Sequence, residues 1–445
     1  MIESSQLTEQ LQDQFSAVQK ELPGAHESWI RVLRKSAMDQ VVNQGMPTTR
    51  HEAWKYTDVR KYLDRLVAES ADRSGDVARE VLSTFSFGDL DCHQIVIVDG
   101  VLSLELSSFK DIPAGLRVES MASMLAKDPD GIESYLHDQH LSGAFAALNS
   151  AMMSDGVYLD IPDGVVVEKP LHLLFLSTAG GERSQHIRNL IVTGEYSQVT
   201  VIEHYASLGE SAAFINVGTD VELHAGSRVE HYKLQQSDLH EVNIGSVRAH
   251  QHRDSYYHSH SVAFGAALSR RDIHVEMNGE GAECSLNGLY LVGGRQHVDH
   301  HTRIDHVRKN CRSRESYKGV VDGRARAVFN GKVIVHKGAD GTDSAQSNAN
   351  LLLSDKAEID TKPDLEIHAD DVKCAHGATV GQLDMNQLFY LRSRGLSEEE
   401  ARNVLMFAFA DEVLAAIKVP QVRSYLERIA FDKLPHGEGL EGLLG

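Results

Sequence analysis

Leu7, Leu11, Phe15, Val18 and Leu22 recur at spacings of four, four, three and four, which predicts an amphipathic helix stopped at Pro23-Gly24. A second helix follows, with Trp29, Leu33, Met38, Val41 and Val42 on its apolar face and Gly45-Met46-Pro47 at its end. From about Gln94 the pattern changes to short alternating runs punctuated by Gly, Asp and Asn: QIVIVDGVLSLEL, GVYLDIPDGVVV, LHLLFL, NLIVTGEYSQVTVIEH and VELHAGSRVEHYKL. Side chains of period two are the signature of strands. The runs continue, with no convincing helix between them, through CSLNGLYLVGG, ARAVFNGKVIVH, SNANLLLS and AEIDTKPDLEIHADDVKCAHG.

A sandwich of that length would be unusual, and one corner chemistry keeps returning. A Gly- or Asp-rich turn precedes a small-x-apolar-x run in GEYSQVTVIE, HAGSRVEHY, EGAECSLNG, DGRARAVFNG, SDKAEIDT and ADDVKCAHG. Coils of uneven length sharing such a corner predict a β-solenoid, each coil stacking its inward face on the next; a large meander sheet is the competing architecture. After Gly381 the helical period returns. Leu388 and Leu391 share a face and Gly395 ends that helix, while Ser397-Glu398-Glu399-Glu400 forms a capping box that opens another. Its centre, VLMFAFA, is apolar all round, which predicts burial against the domain or a partner. Val422, Tyr425, Leu426 and Ile429 mark a last helix after Pro420. The chain thus divides into an N-terminal helical region (1–90), a mainly β core (91–381) and a C-terminal helical region (382–445).

Charge narrows the function. With 64 Asp and Glu against 44 Lys and Arg the formal charge is −20, so a broad phosphate-binding face has no electrostatic support and nucleic acid is not expected as a partner. The opening MIESSQLTEQ has neither a basic-then-apolar leader nor an Arg/Ser-rich transit character, which leads to the expectation of a cytoplasmic protein. No apolar run approaches the roughly 18 residues of a membrane span. Gly331-Lys332 is followed by Val333 and completes no phosphate-binding loop, and GEGAEC completes no dinucleotide fingerprint. The chain itself is not expected to hydrolyse ATP. No G-x-S-x-G elbow or H-E-x-x-H helix is present either.

Cys92, Cys284, Cys311 and Cys374 are widely separated, which argues against a disulfide framework or a CxxC metal site. On a strand, however, Cys374 and His376 point to one face with α-carbons about 6.5–7 Å apart. Thiolate and imidazole suit Fe²⁺, zinc or an iron–sulfur fragment, although two ligands leave a metal half coordinated. The stretch RQHVDHHTRIDHVRKN is richer in ligands, with His297, Asp299, His300, His301, Asp305 and His306. A strand would put His297, Asp299 and His301 on one face and His300 on the other, so the cluster divides and a structural reading leads. The same caution covers His252, His258 and His260 in a chain with 24 histidines.

Four stretches together carry a resemblance: EAWKYT (52–57), DGRARAVFNGKVIV (322–335), DSAQSNANLLLSDKAEIDTKPDLEIHADDVKCAHGATVGQLD (343–384) and LFYLRSRGLSEEEARNVLMFAFADEV (388–413). They resemble the SufB/SufD family of iron–sulfur cluster assembly scaffold subunits, weakest over the first 50 residues. MNQLFYLRSRGLSEEEA is similar to the SufD branch, and the C-x-x-C-x-x-x-C stretch usual in SufB is absent. The resemblance implies a right-handed parallel β-helix between helical regions and a non-catalytic scaffold that pairs with SufB. It implies a SufC ATPase that supplies the nucleotide chemistry. It also implies a transient iron–sulfur cluster near the SufB interface, faced by Cys374 and His376, and a contribution to iron acquisition. The helices from Met385 to Ile417, with Arg392, Arg394, Leu405 and Phe409, would form much of the ATPase docking surface. Family analogy extends to a reduced flavin in the complex, for which this chain carries no motif. Competing readings are a SufB-like or homodimeric scaffold, and a β-helix enzyme acting on polysaccharide. Because the edge coils of a solenoid leave strand groups unpaired, dimerisation is expected in either scaffold form.

Overall fold

Inward-facing apolar residues at every second position wind the middle of the chain into a parallel solenoid. The computed structural model describes residues 4–67, 77–109, 111–137, 143–180 and 182–433. Successive strands alternate between a ten-stranded and a nine-stranded sheet, so hydrogen-bonded neighbours come from consecutive coils. The pairs are parallel and in register over as many as ten residues, as between Val242–Gln251 and Leu268–Met277. Val298, Ile304, Val333, Val335, Leu286 and Tyr290 meet inside, forming one continuous core along the axis. The meander alternative, which requires antiparallel neighbours, does not occur along this stack.

The two ends differ. Antiparallel pairing of His93–Val98 with Val101–Ser108, and of Arg117–Ser120 with Val157–Ile161, closes the first end. At the other, Glu358–Ile367 and Lys373–Gly381 are the terminal strands of their sheets, each bonded on one edge.

The recurring corner forms a ladder of its own. Leaving the nine-stranded sheet, six coils in succession place a residue in the left-handed region: Tyr196, Gly226, Asp254, Gly281, Asn310 and Gly341. Each donates its backbone N–H to the next coil, as Gly226 does to the Arg253 carbonyl at 2.8 Å and Asp254 to Glu280 at 3.0 Å. Side chain and glycine alternate because every side chain lies over the glycine of a neighbouring coil. A Cβ at Gly281 would sit inside contact distance of Asp254 Oδ1, and one at Gly341 inside that of Asn310 Oδ1.

Helices cover the outer faces. Helix α1 (Ser4–Val18) and helix α2 (Ser28–Gln44) occupy the two predicted segments, burying Leu7, Leu11, Phe15, Met38 and Val41, although α1 ends short of Pro23-Gly24 and Val42 is exposed. The chain then continues in 3-10 segments, Glu52–Trp54, Arg60–Val67 and Arg79–Phe85. Between the second strand and GVYLDI lie three helices that the sequence reading lacked: α3 (Met121–Lys127), α4 (Asp130–His137) and α5 (Ala144–Met152). The first two are only seven and eight residues long, too short for a clear period. In α5, Asn149 is buried and donates to the carbonyls of Ile187 (2.8 Å) and Asn216 (3.0 Å), anchoring the helix to two coils. Helices α1, α2 and α5 share a core with Phe214, Val242, Ile244 and Leu268 on the outside of the nine-stranded sheet.

Helix α6 (Met385–Ser393), α7 (Glu398–Leu414) and α8 (Pro420–Lys433) follow the last strand. The capping box is complete, with Glu400 N–H donating to Ser397 Oγ (3.2 Å) and Ser397 N–H to Glu400 Oε2 (2.7 Å). The all-apolar centre of α7 is buried on one side only. Met406 and Ala410 pack with Tyr232, Leu234, Val262 and Leu289 of the ten-stranded sheet, whereas Leu405 and Phe409 are half-buried and Ala408 is exposed. No helix among the described residues is long and apolar enough to cross a membrane.

Candidate functional site at the open end of the solenoid

The last strand, Lys373–Gly381, aligns Cys374 with Ser344, His376 with Gln346 and Ala378 with Asn348 of the preceding coil. Ser344, Gln346 and Asn348 are buried and face the lumen. In a parallel, in-register pair aligned residues share a face, so Cys374 and His376 lie on the lumenal face of an uncapped coil. Cys374 is half-buried on the inner core and His376 is exposed. The strand reading of Cys374-x-His376 therefore describes the geometry found. Burial raises the Cys374 pKa, Asp343 adds to the effect and the backbone N–H of Ser344 opposes it. With its pKa raised above the ordinary thiol value, the group is a thiol rather than a thiolate at neutral pH.

Beneath this pair the lumen is polar. Glu315, Gln346 and His376 stack in one column through three coils. Gln346 Nε2 donates to Glu315 Oε2 at 2.5 Å, and burial pushes the Glu315 carboxyl up to about 7 against that hydrogen bond. Alongside, Thr361 Oγ1 and Asn350 Nδ2 donate to Asn348 Oδ1 (2.8 and 2.6 Å), and Tyr290 OH donates to Asn350 Oδ1 (2.5 Å). Sequence reasoning missed this column because polar residues at alternate strand positions ordinarily mark the solvent face. The available signal was the glycines opposite. Gly288, Gly319 and Gly331 leave room for Tyr317, Tyr290 and Gln346, whose atoms occupy the space a Cβ would need. Deeper in, Glu203 takes hydrogen bonds from Tyr205 (2.5 Å), Thr219 (2.9 Å) and His231 (2.9 Å) and pairs with Lys233, a buried charge network with its partners in place.

The histidine-rich stretch divides between two faces as its period requires. His300 and His306 point inward, His306 Nε2 lying 2.9 Å from Ser313 Oγ. His297, Asp299 and His301 point outward beneath EAWKYT. There Arg270 Nη1 reaches Asp299 Oδ2 at 2.5 Å and the Ala53 carbonyl at 2.8 Å, with its guanidinium 3.9 Å from the Trp54 ring centroid. Burial alone would raise Asp299, but Arg270, His301 and Thr57 outweigh it and hold the carboxyl well below the usual range. This cluster is a clasp for the N-terminal segment. His258 and His260 lie elsewhere, under the loop after α7, with His258 Nδ1 2.6 Å from Glu230 Oε2.

The helices beyond the site carry the exposed apolar surface. On α6, Phe389 is 74% exposed, Met385 68% and Tyr390 56%, while Leu388 turns inward. Arg392 pairs with Glu398 at 3.1 Å, and Arg394 stacks on the Tyr390 ring at 5.2 Å. Phe409 already has an intrachain partner, Lys318 Nζ, 4.4 Å from its ring centroid. Sequence reasoning placed the apolar docking residues on α7; the more exposed aromatics are on α6.

Residues 175–409 match the family described as "SUF system FeS cluster assembly, SufBD core domain", and residues 5–173 match "SufBD protein N-terminal region". The chain is 32% identical to an iron–sulfur cluster assembly SufBD family protein of Synechocystis over 91% of either chain. It is 31% identical to the iron–sulfur cluster assembly protein SufD of Escherichia coli, over 90% of this chain and 92% of that one. A SufD of Bacillus subtilis is 26% identical over 90% of this chain and 92% of its own length.

Proposed function

The chain belongs to the SufBD family of iron–sulfur cluster assembly proteins, and from that premise we propose that it is a SufD-type scaffold subunit whose open coil docks a SufB-type partner. The observation that carries this reading is the terminal strand Lys373–Gly381, which presents Cys374 and His376 on the lumenal face of a sheet edge that no other strand among the described residues covers. An unpaired edge is a template for another strand, and a partner that covered it would place its own side chains opposite this pair. Cys374 and His376 supply two ligands and the partner the remainder, so a nascent cluster forms only where both subunits meet. The cluster is the cargo of this site. A cationic or metal-loaded partner would also overcome the burial that keeps the Cys374 thiol protonated.

Nucleotide hydrolysis belongs, on this reading, to a SufC-type ATPase seated on α6 and the exposed side of α7. Phe389, Tyr390 and Met385 form the apolar centre and Arg392 and Arg394 a polar rim, the arrangement of a protein-docking patch. The test is co-expression with SufB- and SufC-type partners, followed by purification and analysis of iron and acid-labile sulfide. A complex containing this chain should carry cluster, and ATPase activity should appear only with the SufC-type partner. Equal cluster accumulation by the partners without this chain would overturn the scaffold role.

A further inference from the structure

On the outside of the solenoid, at the corner where the nine-stranded sheet ends, two consecutive coils each present a histidine. His224 and His252 occupy the same position in the corner, their backbone N–H groups bonded to the Thr193 and Leu223 carbonyls at 3.0 and 2.9 Å. The carbonyls of both accept from a corner serine, Ser227 Oγ and Ser255 Oγ, each at 2.7 Å. Both backbones are therefore fixed, and their rings lie 5.3 Å apart between centroids. Glu222, at the end of the strand that leads into His224, reaches the same place, its Oε1 2.5 Å from His252 Nε2. One ligand atom from each of the three lies within 4.8 Å of the others; among the described residues no other group of three His, Cys, Asp or Glu side chains converges in this way.

We propose that Glu222, His224 and His252 form a site for one divalent first-row transition-metal ion, separate from Cys374 and His376. Two imidazoles and one carboxylate, without a thiolate, are a donor set for Fe²⁺, Co²⁺, Ni²⁺ or Zn²⁺, with water completing the shell. At metal–ligand distances of about 2.1 Å, neighbouring ligands stand about 3 Å apart and opposite ones about 4.2 Å. Binding would open the His252–Glu222 contact from 2.5 Å to about 3 Å and draw His224, whose ligand atom stands within 4.8 Å of the other two, onto the same ion. An ordinary surface ion pair would account for His252 and Glu222 but leaves His224 unexplained, since its ring makes no hydrogen bond with any described residue. The same edge carries further pairs, His274 and His336 on Asp305 at 2.7 Å each and His368 on Glu366 at 2.9 Å. In none of those do three ligand atoms lie within 4.8 Å of one another. With the His252 side chain 48% exposed, the corner site is open to exchange, which suits capture and release rather than permanent structural binding. The assignment stands whether or not the open coil docks a partner.

The test is titration of the metal-stripped full chain with Co²⁺ at pH 7.5, followed by visible absorption and equilibrium dialysis, and then with Fe²⁺ under anaerobic conditions. Wild type should bind one Co²⁺ at a site with imidazole-type absorption, and His224→Ala and His252→Ala should each weaken it at least about tenfold. Cys374→Ser/His376→Ala should leave that site unchanged. Thermal unfolding in chelator shows whether the corner variants are folded, and Glu222→Gln, which keeps the side-chain shape, supplies the same test if either is not. Unchanged binding in folded corner variants, loss in Cys374→Ser/His376→Ala alone, or no stoichiometric binding by wild type would each overturn the proposal.

Discussion

The Thr57 hydroxyl donates to Asp299 Oδ2 at 2.6 Å, joining two residues 242 positions apart. Asp299 also engages Arg270 at 2.5 Å and His301 at 3.0 Å, and Arg270 lies against Trp54, so one buried carboxylate ties the EAWKYT segment to two coils. Asp299→Asn should destabilise the chain by about 2–3 kcal/mol, less than full loss of a buried pair because Asp272 still holds Arg270. Chemical denaturation measures the cost, and limited proteolysis near residues 52–57 should accelerate. Unchanged stability would mean the segment is held by packing alone.

Glu315 makes stability depend on pH near neutrality. Its folded pKa of about 7 lies above the usual glutamate value of about 4.3. The contribution of the neutral form is therefore fully present below that lower value and is lost as pH rises through about 7. Glu315→Gln, still able to bond Gln346, should be more stable than wild type at pH 8, by an amount on the order of 3 kcal/mol, and should converge with it only below about pH 4.3. Parallel urea midpoints across that range would show that Glu315 does not titrate there.

His376→Ala should leave the isolated chain within about 0.5 kcal/mol of wild type, because an exposed imidazole contributes little to packing. Iron and sulfide in the partner complex should fall sharply. Cys374→Ser keeps the shape but is a poor ligand for soft chemistry, and should act in the same direction. Full cluster content in both variants and in the double variant would reduce the pair to interface packing.

Phe389→Ser/Tyr390→Ser should weaken capture of a SufC-type ATPase without lowering thermal stability, since both rings are exposed in the free chain. Leu405→Glu/Phe409→Glu should weaken docking and also destabilise α7, whose half-buried face already packs within the chain. Calorimetry on the variants alone and affinity measurements with the ATPase separate the two effects. Undiminished affinity in both pairs would move the docking surface off these helices.

Much of the fold was legible because the solenoid repeats a single solution, with strands of period two and a corner whose Gly, Asp and Asn announce a left-handed residue. Cys374 and His376 were legible for the same reason, since strand period alone puts them on one face. What stayed hidden depends on contacts between distant coils. The lumenal partners of Asn348 and Gln346 lie about 30 residues away. The convergence of His224 with His252 requires knowing which corner residues stack. Helices α3 to α5 were missed for a local reason, their shortness, and the α6 aromatics because a run of mixed polarity gives no face until something buries Leu388.

The corner ladder sets a rule for how such a chain can grow or shrink. Since a side chain at Tyr196, Asp254 or Asn310 always meets a glycine at Gly226, Gly281 or Gly341, the unit that copies itself along the axis is a pair of coils. Excising one coil would bring two side chains, or two glycines, into register at the splice, whereas excising two restores the original fit. Insertions and deletions compatible with this architecture, natural or engineered, should therefore come in even numbers of coils, and the length of the barrel between its closed and open ends is quantised accordingly.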